Sequence, residues 1–204
     1  MSDFDRMGFL PTDVTPPIFP EGFESWGHSG KGNLGTINTV GRQWEESYGI
    51  MQRNDPNFWK FIAYLNKHRR TKTIFEISHL HRQTATGVPI DSIYAYGANQ
   101  TGSTLQVSKN SSGAQVAVSG TLKRGDLIKI AGINLVFDVD ADVSNFTAVP
   151  ISPMLVSGMA HAAYAVVTYT AVKFRAVLSG NFDFPKGNGR GIYAGLTLNF
   201  RECP

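Results

Sequence analysis

One segment of this sequence has the residue types and spacing of a cofactor site. Gly30-Lys-Gly-Asn-Leu-Gly35 matches the G-x-G-x-x-G fingerprint of dinucleotide-binding proteins. That fingerprint binds a pyrophosphate when a strand precedes it and the N-terminus of a helix follows it. Here a proline-rich segment precedes it and the strand-like Thr36–Val40 follows it. We therefore interpret Gly27–Gly35 as a glycine-rich loop, not as a cofactor site.

Three aspartates, Asp138, Asp140 and Asp142, alternate like the first ligands of a calcium-binding loop. Such a loop requires Gly at its sixth position and Glu at its twelfth, and this chain has Val143 and Val149 there. We therefore predict a strand whose three carboxylates lie in water. Its inward side chains would be Val139, Ala141 and Val143.

Two histidines, His79 and His81, would share one face of a strand, as two ligands of a zinc site do. His28, His68 and His161 are the remaining histidines, but no third ligand lies at the spacing of a known zinc motif. The chain also lacks a Gly-x-Ser-x-Gly nucleophile turn and a phosphate-binding loop. We predict no catalytic, cofactor-binding or metal-binding residues, and hence no cofactor and no enzymatic activity.

Composition is typical of a β-rich protein. The 204 residues include 21 Gly and only 17% charged residues, and the net charge is +3. So small a charge, without a basic stripe, argues against sequence-specific nucleic-acid binding. The longest apolar run, Ala160–Val167, is too short for a membrane span, and the N-terminus does not resemble a signal peptide. The single cysteine, Cys203, cannot form an internal disulfide, so we expect synthesis and assembly in a cytoplasm.

The segment Trp44–Leu80 predicts a strand, a helix and a second strand. Residues 43–51 alternate in polarity, with Glu46 as the one interruption on the apolar face. Asp55 and Pro56 are typical of a helix start, and Lys67–Arg70 places positive charge at its C-terminus. The predicted apolar stripe of the helix consists of Phe58, Trp59, Ile62, Ala63 and Leu65.

The remaining chain divides into segments of different texture. Residues 1–40 form a proline-rich arm and loop, and residues 41–87 form the first part of a β-sandwich with its helix. Short strand patterns at about ten-residue spacing over 88–157 predict an inserted small β-barrel, similar to an OB fold. Residues 158–204 return to long strands, at Tyr164–Leu178 and Ile192–Phe200, with a loop at Lys186–Gly191 between them.

The sequence resembles the distal tail proteins, or minor tail proteins, of long-tailed (siphovirus-like) bacteriophages. The order and spacing of several short blocks carry the resemblance over nearly the whole chain after residue 40. These blocks are Trp44-Glu45-Glu46, Phe58–Leu65, Phe75-Glu76-Ile77, Ala98–Leu105, Leu122–Ile130, Phe137–Asp140, Ile151–Leu155 and Leu196–Glu202. The N-terminal arm and the Gly27–Gly35 loop depart from the family pattern.

The resemblance implies a β-sandwich ring domain that carries an inserted small barrel. It implies a structural virion protein that forms a hexameric ring at the tail tip, or baseplate. The implied partners are further copies of the chain, the tail tube protein, and the tail hub or central fibre protein. We expect the Trp44 and Ile192–Phe200 strands to form the ring body. The arm and the Lys186–Gly191 loop would make intersubunit contacts.

Two alternatives remain open. The first is another tail or head–tail joining ring, such as a tube terminator; the inserted barrel favours the distal tail. The second is a carbohydrate-binding β-sandwich, since Trp26, Trp44, Trp59 and seven tyrosines could present aromatic platforms. That alternative predicts exposed tryptophans, whereas we expect Trp44 and Trp59 to be buried.

Overall fold

The computed structural model describes residues 3–18, 41–80, 82, 84–179, 186–187 and 190–203. The fold over these residues is mainly β, with a single α-helix, as the sequence predicts. The Gly30–Gly35 fingerprint, Trp26, His28 and His81 lie outside the described residues. The elements are β1 (Asp13–Val14), β2 (Gln43–Tyr48), β3 (Met51–Gln52), α1 (Phe58–Thr71), β4 (Phe75–Ser78), β5 (Ile93–Ala95), β6 (Gly102–Ser108), β7 (Val118–Leu122), β8 (Leu127–Ile130), β9 (Val136–Val139), β10 (Val143–Phe146), β11 (Ala148–Leu155), β12 (Val166–Thr168), β13 (Lys173–Ser179), β14 (Lys186–Gly187), β15 (Ile192–Ala194) and β16 (Leu196–Glu202).

The chain forms two compact units. The first, called here the sheet unit, comprises Met1–Phe75 and Ala176–Cys203; the second, the barrel unit, comprises Glu76–Arg175. The barrel unit is therefore wider at both ends than the insert predicted at residues 88–157. One reason is that β12, expected in the sandwich, pairs with β5 and β8 of the barrel.

The sheet unit is built on a five-stranded sheet of order β1-β2-β16-β13-β4, with a smaller sheet of order β14-β15-β3. One face of β2 is buried at Trp44, Glu46 and Tyr48, as its alternation predicts. On β16, Leu196, Leu198 and Phe200 are buried in the same way. Trp44 stacks on Phe200 at 5.4 Å between ring centroids, which joins the two strands across the core.

Helix α1 differs from its prediction in two details. It begins at Phe58, because Asp55 first closes a turn in which its Oδ1 accepts from the Asn57 N–H at 2.8 Å. Its buried residues are Phe58, Phe61, Leu65 and His68, so the apolar stripe is rotated from the one predicted. Basic side chains occupy the last turn as expected, and burial lowers the pKa of His68.

The barrel unit contains a closed barrel of order β11-β6-β5-β12-β8-β9 and a two-stranded sheet of β7 and β10. All described pairings in the barrel are antiparallel. Its core is mostly aliphatic, with Ile93, Leu105, Ile128, Ile130 and Val149 among the buried residues. The barrel is small as predicted, but it has one strand more than the five of an OB fold.

Two long strands of the prediction are each divided. The predicted strand Tyr164–Leu178 becomes β12, in the barrel unit, and β13, within which the chain passes to the sheet unit; Ala171 at the break has φ 49°. The predicted strand Ile192–Phe200 becomes β15 and β16, and Gly195 at φ 83° separates them. Both breaks use the left-handed backbone region, which glycine adopts without steric penalty. Alternating polarity alone did not reveal them.

Candidate assembly surfaces

The N-terminal arm, defined here as residues 3–18, lies along the sheet unit of its own chain. β1 pairs with the edge of β2, with Asp13 opposite Ser47. Farther along, Ile18 and Gln43 exchange two backbone hydrogen bonds of 3.0 and 2.7 Å. The arm therefore adds an edge strand to the five-stranded sheet. The sequence predicted a proline-rich arm, and here its described residues lie along the body of their own chain.

Two aromatic side chains of the arm pack against the sheet unit, and one of them, Phe4, is buried in its core. The ring of Phe4, which is 6% exposed, lies 4.8 Å from the ring of Phe75 and 5.1 Å from that of Phe200. Phe9 stacks on Phe61 of α1 at 5.3 Å. Burying one phenylalanine side chain stabilises a fold by about 1.5–3 kcal/mol. The arm thus completes a core that the rest of the sheet unit leaves open.

A charged cluster fixes the arm beside these rings. Glu46 is fully buried and accepts from Arg6 Nε at 3.0 Å and from the Tyr48 hydroxyl at 2.8 Å; Arg6 Nη2 contacts its second oxygen. Burial lowers the pKa of Arg6, but hydrogen bonding and attraction to Glu46 outweigh it, so the net pKa is raised. Burial and then the Glu46 charge raise the pKa of Tyr48. Arg6 therefore stays charged and Tyr48 stays protonated.

Glu46 is the polar interruption seen in the alternation of residues 43–51, and the cluster gives its physical reason. A carboxylate at a core position requires a cation and donors, because an unpaired buried charge is strongly destabilising. The interruption was the signal that could have revealed the cluster. Nothing local identified Arg6, forty positions earlier in the chain, as the partner.

A second ion pair is buried where the chain enters β2. Arg42 and Glu202 are both fully buried, with 3.4 Å between Arg42 Nη1 and Glu202 Oε2. The Arg42 N–H also donates to that carboxylate at 3.2 Å, and the Glu202 N–H donates to the Arg42 carbonyl at 2.8 Å. Gly41 has φ 113°, and a Cβ there would lie 2.1 Å from the Glu202 carbonyl oxygen. The site therefore requires glycine at residue 41.

Large apolar side chains of the sheet unit are exposed in the arm, between β2 and β3, and on α1. Leu10, Ile50 and Trp59 are 75%, 73% and 53% exposed. Ile50 precedes Met51, whose strand partner Tyr193 has its ring centroid 6.4 Å from that of Trp59. The expectation that Trp44 is buried is confirmed, because it is 2% exposed, whereas the expectation for Trp59 is wrong. We call Leu10, Ile50, Trp59 and Tyr193 the apolar edge.

An open cleft of about 700 Å³ lies in the sheet unit between Gln52–Asn54 and Arg190–Ile192. The Arg53 N–H donates to the Gly191 carbonyl at 2.9 Å, which ties the two walls together. Arg53 and Arg190 give the cleft positive charge. The predicted loop Lys186–Gly191 is a strand in part, because Lys186–Gly187 forms β14 and pairs with β15.

The aspartates of the calcium-like pattern are not collected at one point. Asp138 pairs with Arg82 at 2.8 Å, and Asp142 pairs with Lys123 at 2.8 Å. The predicted continuous strand is wrong, because the chain turns between β9 and β10 and Ala141 is exposed. Val139 is buried as predicted.

The described histidines lie in separate environments. His68 belongs to α1, and His79 follows β4 and is 2% exposed. His161 accepts at Nε2 from the Gln100 N–H at 3.1 Å, and its Nδ1 lies 2.9 Å from the Ala162 carbonyl, which fixes a turn. Within the described part of the chain, no three His, Cys, Asp or Glu side chains converge in a group that could hold a metal ion.

Asp126 is a buried polar residue that the sequence did not single out. It is 3% exposed and accepts from Thr86, Gly87 and Lys123, with distances between 2.6 and 2.9 Å. Burial alone raises the pKa of its carboxyl, but these hydrogen bonds outweigh burial and the net pKa is lowered. Asp126 thus attaches the segment before β5 to the barrel.

No protein-family model matches this sequence, and no curated protein matches it either. Among the described residues, no helix combines the length and the apolar character needed to cross a membrane.

Proposed function

We propose that this protein is a structural subunit of a bacteriophage tail tip. Copies of the chain form a ring, with six subunits, that joins the tail tube to the hub or central fibre. The proposal gives no residue a catalytic role. It places the protein in the virion, after assembly in the cytoplasm of a bacterial host.

One observation supports this proposal most directly: a closed barrel is inserted into the chain of an open-edged sheet unit. The chain leaves the sheet unit within β4 and returns within β13, and these strands are neighbours in the five-stranded sheet. A sandwich-like ring domain with a small inserted barrel is what the resemblance to distal tail proteins implies. The inserted barrel therefore favours a distal tail protein over a tube terminator, the other ring protein considered.

The surfaces of the sheet unit suit a subunit that associates with copies of itself. The apolar edge exposes Leu10, Ile50 and Trp59, and large exposed apolar side chains can mark protein contacts. The cleft with Arg53 and Arg190 lies beside β3 and β15 and offers charge for a complementary partner. Ring interfaces between identical subunits combine such patches head to tail.

The test is the mass of the native protein, measured by light scattering after size-exclusion chromatography, with imaging of the main peak. We expect a mass near six times 22.3 kDa and a ring with an open centre. A monomer at every concentration, which also fails to assemble on purified tail tubes, would contradict the proposal.

The exposure of Trp59 favours one second candidate, a carbohydrate-binding module. Trp59 is 53% exposed and lies edge-on to Tyr193, an arrangement that could stack against a sugar ring. A glycan array tests this candidate. Binding that is lost in the Trp59→Ala variant, by a protein that remains monomeric, would favour it over the ring.

A further inference from the structure

We infer that the arm is exchanged between neighbouring copies, so that residues 3–18 of one subunit occupy the arm groove of the next. The arm groove is formed by the free edge of β2, by Glu46 and Tyr48, and by the rings of Phe61, Phe75 and Phe200. This inference deepens the proposed function, on which it rests for the ring, and it names the contact that links the subunits.

The arm groove can bind only a segment with particular residue types. It requires a strand to pair with β2, aromatic rings for two apolar sites, and a guanidinium at Glu46. Glu46 is fully buried, so an occupant without a cation at that position would leave a carboxylate unpaired in the core. Residues 3–18 of this chain meet all three requirements. The groove is therefore specific for the arm, whether that arm comes from the same copy or from another.

The connection between the arm and β2 is far longer than pairing within one copy requires. Ile18 and Gln43 are hydrogen-bonded neighbours, and antiparallel neighbours are commonly joined by two to five residues. Here residues 19–40 separate the end of the arm from residue 41, two positions before β2. A chain of that length reaches roughly 75 Å when extended. A domain of about 100 residues has a radius of gyration of roughly 13 Å, so the arm can reach an adjacent copy.

Exchange preserves every contact that the arm makes. The same hydrogen bonds, ring contacts and Arg6–Glu46 pair form in either arrangement, so only the identity of the subunit changes. Head-to-tail exchange from each subunit to the next is a heterologous contact, which closes when the subunits are related by rotation. Such a ring would be linked at every interface by a segment that completes the core of its neighbour.

The experiment is a disulfide placed between the arm and β2. Asp13 and Ser47 lie opposite each other in the strand pair, and opposite residues in antiparallel strands are about 4.5–5.5 Å apart at Cα, within disulfide range. The variant is Asp13→Cys with Ser47→Cys in a Cys203→Ser background, oxidised as the full-length native protein. We expect most of the protein to run as covalent multimers of 22.3 kDa on a non-reducing gel, and as monomer after reduction.

The matched control keeps Ser47→Cys and moves the other cysteine to Thr197. Ser47 and Thr197 are opposite residues of β2 and β16, and their hydroxyl oxygens lie 3.2 Å apart. Both belong to the body of one subunit, so this disulfide should give only monomer. A second measurement mixes the two single variants, Asp13→Cys and Ser47→Cys, through unfolding and refolding. Exchange predicts a covalent dimer that contains one copy of each.

The outcomes separate this inference from the proposed function. Monomer alone from the Asp13–Ser47 pair overturns arm exchange, and a ring seen by imaging in that sample would leave the proposed function intact. Covalent multimers without a ring support arm exchange and contradict the proposed ring. Covalent multimers within a ring support both.

Discussion

The barrel unit and the sheet unit differ in their strand edges and in the residues of their cores. The barrel closes on itself, so no edge of its six strands is left open, and its core is mostly aliphatic. The sheet unit keeps open edges, packs an aromatic core, and buries two ion pairs, Arg6–Glu46 and Arg42–Glu202. In each ion pair, one partner comes from a segment far away in the sequence.

Under the proposed function, this difference gives the two units different roles in assembly. A closed barrel with an apolar core can be completed by its own continuous segment. The sheet unit depends on the arm and on the C-terminal strand for charge balance at its core. Under the proposed arm exchange, the sheet unit is therefore the one through which a second copy is joined.

The first prediction compares a core substitution in the barrel unit with one in the sheet unit. Phe137 is fully buried in the barrel, so Phe137→Ala should reduce the barrel's free energy of unfolding by about 4 kcal/mol. Hydrogen exchange of peptides from residues 76–175 measures it. All three tryptophans belong to the sheet unit, so the unfolding transition followed by tryptophan fluorescence should not move. The matched variant Phe4→Ala should move that fluorescence transition instead. Equal shifts of both probes in either variant would show one cooperative block and break the comparison.

Breaking the buried ion pair of the arm should act on the sheet unit alone. Arg6→Met leaves Glu46 charged and buried without its cation. This should lower the sheet unit's free energy of unfolding, followed by tryptophan fluorescence, by about 3 kcal/mol. The double variant Arg6→Met with Glu46→Leu removes both charges and should recover most of that loss. If the double variant is as unstable as Arg6→Met, shape at this position matters more than charge.

Glycine at residue 41 tests how tightly the C-terminal strand is held against the entry to β2. Gly41→Ala combines a strained φ of 113° with a Cβ 2.1 Å from the Glu202 carbonyl oxygen, so we expect a loss of about 2–3 kcal/mol. Gly97→Ala is the control, because Gly97 has a φ of 88° but no heavy atom within 4 Å of the added Cβ. The Gly97→Ala variant should lose only about 1 kcal/mol of its free energy of unfolding. Denaturant titration measures both, and equal losses would mean that the Glu202 contact is not tight.

Some features of the fold could be predicted from the sequence, and others could not. The strand-helix-strand order, the buried face of β2 and a small barrel followed from periodicity, because each depends on neighbours within one element. The rotated stripe of α1 was missed because adjacent aromatics at Phe58 and Trp59 fit two helical faces equally well. The breaks at Ala171 and Gly195 were missed because alternation continues through a residue of positive φ.

The candidate assembly surfaces were predictable only in outline. The proline content of the arm indicated an extended segment, and Glu46 stood out as a polar residue on an apolar face. Pairing Glu46 with Arg6, or Arg42 with Glu202, requires long-range contacts that no local pattern encodes. The same holds for Asp126, whose partners Thr86 and Gly87 lie about forty positions away. Distant polar pairs are thus the part that the structure adds.

Asp126 gives the barrel unit a dependence on pH. Because its pKa in the folded barrel is lowered from the ordinary value of 3.8, folding favours the ionised carboxylate. The resulting stability is fully present above that ordinary value and is lost as the pH falls through the lower folded value. Asp126→Asn replaces an acceptor with an amide that faces several donors and should cost about 2 kcal/mol at neutral pH. The gap between the unfolding free energies of wild type and variant, measured by hydrogen exchange of the barrel, should narrow as the pH falls below 3.8. A constant gap would contradict the role given to the charge.

The smallest effect is expected for an ion pair on the barrel surface. Lys123 and Asp142 are 2.8 Å apart, but their side chains are 48% and 60% exposed. Exposed pairs contribute little, because water screens the attraction and the long side chain loses freedom. We therefore expect Lys123→Met to leave the unfolding midpoint within experimental error at low and high salt. Asp142→Ala should be the more harmful change, because Asp142 Oδ1 also accepts from the Arg124 N–H at 2.8 Å and so holds the turn before β8. If Lys123→Met destabilised the barrel as much as Arg6→Met destabilises the sheet unit, the burial of an ion pair would not set its contribution to stability.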